Sequence, residues 1–245
     1  MGFQDLDIGE KAISKAAETA VRSQMDAVET LDVEVHTDPM KLAQGQIDKV
    51  TVEGQGLVIQ DDLRTEAISL EARSVDIDMF KAMMGEVELE RPADADAQVV
   101  LKAEDLQKAL NSDFVKQKMR GLKVVLPSGE KVTTDASNVT FSIPEAGKIL
   151  VSADVMVMEK VETHHIEFSA RPELAKSGNT IVLKDVKAKA ADNDMPALTR
   201  SLVTSTEELL DLRNFEIGDM ALQFNKLEVL PGKLIVKAQA TISSL

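Results

Sequence analysis

The sequence has 245 residues, 44% of them hydrophobic, and a formal net charge of −14 at neutral pH. This charge argues against nucleic-acid binding, which needs clustered Lys and Arg, and against general adsorption to anionic membranes. The absence of cysteine excludes disulfides, thiolate catalysis and cysteine-ligated metals. The absence of Trp and Tyr, with only seven Phe, argues against an aromatic platform for sugars or bases.

The length fits one large domain or two small ones, and no low-complexity linker divides the sequence. No apolar run approaches the roughly 18 residues that a membrane-spanning helix needs. The first residues lack the basic region and apolar core of a signal peptide. We therefore expect a single domain over residues 1–245, cytoplasmic or peripheral at a membrane, unless an export signal was trimmed from the sequence.

Three helices are predicted in chain order. The N-terminal segment 1–28 carries an amphipathic helix, since residues 9–28 place small and branched apolar side chains on one stripe. Residues 103–120 form a second helix, with Leu106 and Leu110 on one line, acidic residues in its first turn and basic residues in its last. A third helix covers about 195–213, with Pro196 in its first turn.

Most of the remaining sequence, over residues 29–245, alternates as strands do. Three segments, 68–79, 181–190 and 220–229, are long and change the phase of their apolar residues midway. Such a change predicts a bulge in each strand. The predicted fold is α+β, with a long, strongly twisted antiparallel sheet wrapped around one or more helices.

The sequence offers few candidates for a catalytic site. His164 and His165 are adjacent on a strand, so they point to opposite faces and cannot share a metal. The acidic pairs in "VDID" and "DADAD" fit a solvated strand face better than a site. No nucleotide-binding loop and no nucleophile elbow is present. We therefore predict a non-enzymatic protein without a cofactor, and a hydrolase is a distant alternative.

The unusual feature of the sequence is a pair of strand segments that are apolar on both faces. In "KVTVEGQGLVI" (49–59), Gly54 and Gly56 interrupt an alternating strand, which then becomes apolar on both faces. Residues 155–158, "VMVM", are also apolar on both faces. Met suits surfaces that accept variable apolar shapes. These two strips predict either an apolar groove or a well-filled core, and the pattern alone slightly favours the core.

Three stretches carry a resemblance to a known family: 45–78, 92–112 and "LPGKLIVKAQATI" (230–242). They resemble the LmeA-like phospholipid-binding proteins, and the resemblance covers most of the chain. It implies a fold similar to tubular lipid-binding domains, in which a coiled sheet wraps a helix and encloses an acyl-chain tunnel. It implies no catalytic residues.

The resemblance and the apolar strips together predict binding of phospholipid or another acyl lipid such as fatty acid, with transfer between membranes as an extension. The alternative is a structural or assembly protein with a filled core and an acidic interaction surface. The predicted groove lining comprises Leu57, Val58, Ile59, Leu70, Val155, Met156, Val157, Met158, Phe168 and Leu202.

A basic cluster ends the second predicted helix: Lys116, Lys118, Arg120 and Lys123. It has two interpretations. The first is complementation of the helix dipole, and the second is transient docking on anionic lipid headgroups. The sequence gives no oligomeric state.

Overall fold

A computed structural model describes residues 4–23, 25–59, 63–84, 88–178, 180–188, 195–209 and 220–243. The helices in this part of the chain are α1 (Gln4–Ser23), α2 (Pro39–Leu42), α3 (Met79–Met83), α4 (Ala103–Leu110), α5 (Asp113–Lys118) and α6 (Met195–Leu209). The strands are β1 (Thr30–His36), β2 (Gln46–Ile59), β3 (Leu63–Asp76), β4 (Ala93–Lys102), β5 (Leu122–Val125), β6 (Lys131–Glu145), β7 (Lys148–Val157), β8 (Glu162–Leu174), β9 (Ile181–Ala188), β10 (Met220–Leu230) and β11 (Lys233–Ile242).

The strands form two antiparallel sheets. The first has the order β1-β2-β3-β4-β11-β10, and the second has the order β5-β6-β7-β8-β9. The α+β class and the antiparallel pairing are as predicted, but the hydrogen bonding divides the strands between two sheets instead of one. The division arises because the chain leaves β4 through α4 and α5 and begins a new sheet at β5. The hairpin β10–β11 then returns to pair with β4.

The predicted phase changes are present, by two different mechanisms. In β9, three residues span the distance that two residues of β8 cover between Ser169 and Arg171, so β9 carries an extra residue near Asp185. In β10, the register shifts between Phe224 and Lys226. Both strands therefore carry a bulge, as expected. In β3 no residue is inserted, because the register with β2 is the same on both sides of Ser74. Ser74 instead adopts φ +55°, and this left-handed residue turns the following side chains. The prediction of a bulge there is wrong.

The predicted helix over 103–120 is two short helices. Asn111 ends α4, where its side chain bonds both the N–H and the C=O of Val139 on β6, at 3.1 and 2.7 Å. Ser112 then caps α5 by accepting from the N–H of Val115. The local pattern was compatible with one helix, but a contact distant in sequence interrupts it. The predicted residues 210–213 of the third helix lie outside the described part of the chain.

Three clusters of buried apolar side chains organise the fold. Cluster 1 fills the space between the inner face of the second sheet, α4, α5 and α6. Cluster 2 lies at one end of the first sheet, where Ile13 of α1 meets Ile47, Val75 and Ile77. Cluster 3 joins Ala17 of α1 to β1. Among the described helices, none is both long enough and apolar enough to cross a membrane.

The two sheets are connected by backbone hydrogen bonds at tight turns. The N–H of Gly232, in the β10–β11 turn, donates to Ile143 of β6, and the N–H of Gly147 donates to Val229 of β10. Gly178, in the β8–β9 turn, accepts from Phe224 of β10. A Cβ at Gly178 would lie 2.7 Å from the oxygen of Phe224, so this approach requires glycine. The turns therefore fix the second sheet against the C-terminal hairpin.

Candidate functional site

The inner face of the first sheet, which faces α1, carries apolar side chains in rows that cross the strands. Strand register defines the rows, because directly paired residues point to the same face. The first row is Val33, Val52, Leu70, Ala97, Ala238 and Phe224; the second is Leu31, Gly54, Ile68, Val99, Val236 and Leu227. Both rows are free of polar side chains across all six strands.

Within these rows, Val236 and Ala238 of β11 are buried, whereas the neighbouring side chains on β3, β4 and β10 are only half-buried. We define the apolar strip as Ile68, Leu70, Ala97, Val99, Phe224 and Leu227, all of intermediate exposure. Apart from Leu70, none of them belongs to any of the three clusters that the described residues form. The strip is therefore an apolar surface that the described side chains leave partly open.

The filled clusters border the strip on both sides. On one side, the next row includes Ala72, Ala95 and Ala240, which are buried in cluster 2. On the other side, Leu234 is buried in cluster 1, with Leu101 packed against that cluster. At the β1 end, Leu31 and Val33 are covered in cluster 3. The strip therefore lies between buried clusters, and Val236 and Ala238 of β11 are buried within it.

Gly54 and Gly56 have distinct roles beside the apolar strip. Gly56 has φ +61°, a left-handed conformation that turns Leu57 inward. Leu57 is fully buried, and a Cβ at Gly54 would lie 3.0 Å from its Cδ1 and 3.1 Å from Cγ2 of Ile68. Leu57 therefore occupies the space that a side chain at Gly54 would take, next to Ile68 of the strip. Val58 is half-buried and its backbone pairs with Ala27.

The other predicted lining residues lie in different settings. Leu70 is in the strip itself. Val155, Val157, Phe168 and Leu202 are buried in cluster 1, where α6 covers the second sheet. Met156 points to the opposite face of β7 and is half-buried, and Met158 follows β7 and is 46% exposed. The side chain of Ile59 lies outside the described part. The nine predicted residues whose side chains are described therefore do not lie on one surface.

Sequence patterns did not identify five members of the strip: Ile68, Ala97, Val99, Phe224 and Leu227. Their alternation on β3, β4 and β10 was visible in the sequence. Which strands pair, and in which register, was not visible, because β10 and β11 follow β4 by more than 100 residues.

The basic cluster lies at the C-terminal end of α5 and the start of β5. Lys116 is half-buried, whereas Arg120 and Lys123 are exposed. The side chain of Lys118 lies outside the described part. We define these four positions as the basic edge. Val125, two residues beyond Lys123 on β5, is 60% exposed beside it.

A charged network joins three parts of the chain near the start of β3. The guanidinium of Arg64 on β3 donates to Glu29 at 2.7 Å, to Glu66 at 3.1 Å and to Asp105 in the first turn of α4 at 3.1 Å. These carboxylates, Glu29 foremost, raise the pKa of Arg64 above its usual range. The pKa of Glu66 is lowered chiefly by its hydrogen bond to Lys102, the N-cap residue of α4, and then by its hydrogen bond to Arg64.

A second charged group lies on the outer face of the second sheet. Asp154 accepts from Asn138 and contacts Nδ1 of His165, each at 2.9 Å. The hydrogen bond from Asn138, followed by that to His165, lowers the pKa of Asp154. His164 is on the opposite face, as expected. Within the described residues, no three His, Asp or Glu side chains are grouped so that they could hold a metal ion.

A depression of about 340 Å³ lies on the first sheet. Its polar lining residues, among them Asp32, Glu53, Gln55 and Gln98, project from the face opposite the apolar strip, and its remaining lining residues are Leu31, Gly54, Ala67, Ile68 and Val100. Carboxylates and amides at this density do not suit an acyl chain. The apolar strip is therefore the better candidate for an apolar ligand.

Comparison with known families agrees with this chemistry. The model of the family described as LmeA-like phospholipid-binding matches residues 6–239, nearly the whole chain. Searches of curated proteins and of solved structures found no significant match.

Proposed function

The chain belongs to the LmeA-like phospholipid-binding family, and from that premise we propose that it binds the acyl part of a phospholipid or fatty acid on the apolar strip. The observation that carries the proposal is a row of half-buried apolar residues between two filled clusters. A packed core would bury these residues, whereas large contiguous apolar patches are uncommon on the surface of soluble monomers. A bound acyl chain would complete their burial.

The energetics favour an acyl chain over a small polar ligand. Each methylene removed from water contributes about 0.8 kcal/mol, so ten methylenes contribute about 8 kcal/mol before entropic losses. Such binding needs no specific polar contact. The family's phospholipid binding fits this site without a catalytic group, and a non-enzymatic role follows from the proposal.

We extend the proposal to membrane contact and lipid transfer. A strip that shields one acyl chain would let the protein carry a lipid between bilayers, and its fold would then be similar to tubular lipid-binding domains. The basic edge is the proposed contact with anionic headgroups. The competing function, a structural protein with a filled core, is favoured by the dense packing of cluster 1.

The test is acyl-lipid uptake by the purified protein. Native mass spectrometry with organic extraction would detect bound lipid, and a fluorescent fatty acid would report uptake after delipidation. Ala97→Phe fills the strip and should lower probe affinity at least tenfold with little change in melting temperature. Gln98→Phe, the next residue on the opposite face, is the matched control. Absence of lipid and of probe uptake by the parent protein would contradict the proposal and favour the structural role.

A further inference from the structure

Two short helical turns project from the end of the first sheet. Helix α2 precedes β2 and α3 follows β3, and the two are neighbours because the N–H of Ile77 donates to the oxygen of Gly45 at 2.8 Å. Their inward side chains, Leu42, Met79 and Ala82, pack against cluster 2. The turns are therefore anchored to the same cluster that borders the apolar strip.

The outward side chains of these turns are large and apolar. Met40 is 74% exposed, Phe80 is 65% exposed and Met84 is 69% exposed. We define these three residues as the apolar tip. Exposing large apolar side chains at neighbouring positions is unfavourable in water unless they have a partner.

The same capping contact fixes both turns. The carboxylate of Asp38 accepts from the backbone N–H of Met40 at 2.8 Å, and that of Asp78 accepts from the backbone N–H of Phe80 at 2.8 Å. In each turn, the capped N–H belongs to the exposed apolar residue itself. The caps therefore fix the backbone from which Met40 and Phe80 project.

The charges around the tip indicate what the partner is. The nearby lysines, Lys41 and Lys81, pair with Asp48 and Glu88. With these cations neutralised and two capping aspartates beside the apolar residues, the tip has no attraction for an anionic surface. The surroundings of the tip therefore indicate an apolar, uncharged partner and not a charged one.

The size of the tip favours a bilayer over a protein. Three side chains of this size offer on the order of 400 Å². A stable protein interface needs about 800 Å² from each partner with complementary shape. The interior of a bilayer accepts projecting apolar side chains without shape complementarity.

We propose that the apolar tip, Met40, Phe80 and Met84, inserts into the surface of a neutral, zwitterionic phospholipid bilayer. This inference rests on the lipid-binding function proposed above for the nature of the partner, but it concerns a different surface. Insertion there would bring cluster 2, and the strip beside it, next to the membrane from which a lipid is taken.

The absence of Trp from the sequence allows a direct test. Phe80→Trp places a single indole in the tip, and Val161→Trp places one at a position that is 76% exposed at the end of the second sheet. With phosphatidylcholine vesicles, the emission of Phe80→Trp should shift to shorter wavelength and be quenched by brominated chains. Val161→Trp should show neither effect. An unshifted Phe80→Trp, or equal effects at both positions, would overturn the inference.

A second measurement separates the tip from the lipid-binding strip. The variant Met40→Ser, Phe80→Ser, Met84→Ser should bind phosphatidylcholine vesicles at least about tenfold more weakly. It should still take up a fatty-acid probe delivered from ethanol. If the parent protein takes up the probe but does not bind vesicles, insertion of the tip is contradicted and the proposed function stands. Vesicle binding without probe uptake would support insertion of the tip and contradict acyl-chain binding on the strip. A dimer lost in the variant would assign the tip to a second copy and overturn the membrane partner.

Discussion

Arg64 of β3 and Asp105 of α4 form an ion pair of 3.1 Å in which the carboxylate is 2% exposed. The same guanidinium binds Glu29, which precedes β1. One side chain therefore connects the first sheet to the helix that leads into the second sheet. A buried carboxylate without its cation is strongly unfavourable, and Lys108 at 3.4 Å is a more distant substitute.

Arg64→Gln should lower the melting temperature more than Asp105→Asn does. The first change leaves a buried charge, whereas the second leaves Arg64 two other carboxylates. The double variant should be more stable than Arg64→Gln alone, because it removes the uncompensated charge. Thermal denaturation of the three variants measures this order. Additive losses in the double variant would show that the two groups are not coupled.

Gly56→Ala should destabilise the fold by more than a glycine-to-alanine change at a typical left-handed position. The backbone at φ +61° costs about 1–2 kcal/mol for a residue with a Cβ. In addition, the new Cβ would clash with Cδ of Glu29 and would displace that side chain from Arg64. Urea denaturation measures the loss.

Gly129→Ala is the matched control for this change. Gly129 has φ +85°, and a methyl group added to its Cα would meet no atom within 4 Å, so the variant should show the backbone cost alone. In a Glu29→Ala background, the extra cost of Gly56→Ala should disappear. Equal losses at Gly56 and Gly129 would mean that the displacement of Glu29 has no effect on stability.

Local patterns predicted most of the elements but not their assembly. The alternation in β3, including Ile68 and Leu70, was readable because a half-buried strand has a period of two. The interruption at Asn111 was not readable, since it depends on hydrogen bonds to Val139, which lies 28 residues later.

The candidate site shows the same limit. Val155 and Val157 have the composition of a ligand-lining strand, yet both are buried in cluster 1, to which Leu198 and Leu202 of α6 also belong. Ala97 and Val99 carry no distinctive signal in the sequence, because small and branched residues suit any strand. Their significance comes from register with β3 and β11, which only the three-dimensional structure provides.

Two tryptophan substitutions compare the strip with a surface that the sequence suggested. Leu70→Trp fills the strip, whereas Met156→Trp enlarges a side chain on the outer face of the second sheet. Leu70→Trp should lower fatty-acid uptake at least tenfold, and Met156→Trp should leave it unchanged. Fluorescent-probe titration measures both affinities. Loss of uptake in Met156→Trp alone would move the binding surface to the second sheet.

Asp154 should make stability depend on acid pH. Because its pKa is lowered in the folded state, chiefly by Asn138, it stabilises the fold above the ordinary Asp pKa of about 3.9. That contribution is lost as the pH falls through the lowered folded pKa. Asp154→Asn should therefore lose about 0.5–1 kcal/mol at neutral pH and much less below the folded pKa. Urea denaturation across this range measures the difference, with Glu53→Gln as control. A pH-independent difference would contradict this assignment.

The basic edge predicts a second, electrostatic mode of membrane contact. Each basic residue near an anionic surface contributes about 1 kcal/mol, and salt screens this attraction. Replacing Lys116, Lys118, Arg120 and Lys123 with Gln should weaken binding to phosphatidylserine-containing vesicles at low salt. The difference from the parent should shrink as salt is added, and uptake of a fatty-acid probe should persist. Vesicle co-sedimentation at several salt concentrations measures the effect.

The control for the basic edge removes the same charge elsewhere. Four exposed lysines, Lys176, Lys184, Lys187 and Lys233, provide a matched quadruple change to Gln. If binding depends only on net charge, which is −14 in the parent, both variants should bind equally weakly. If the edge is the contact, only the first variant should lose binding. Equal binding by the edge variant and the parent at low salt would leave these residues with the single role of complementing the C-terminal end of α5.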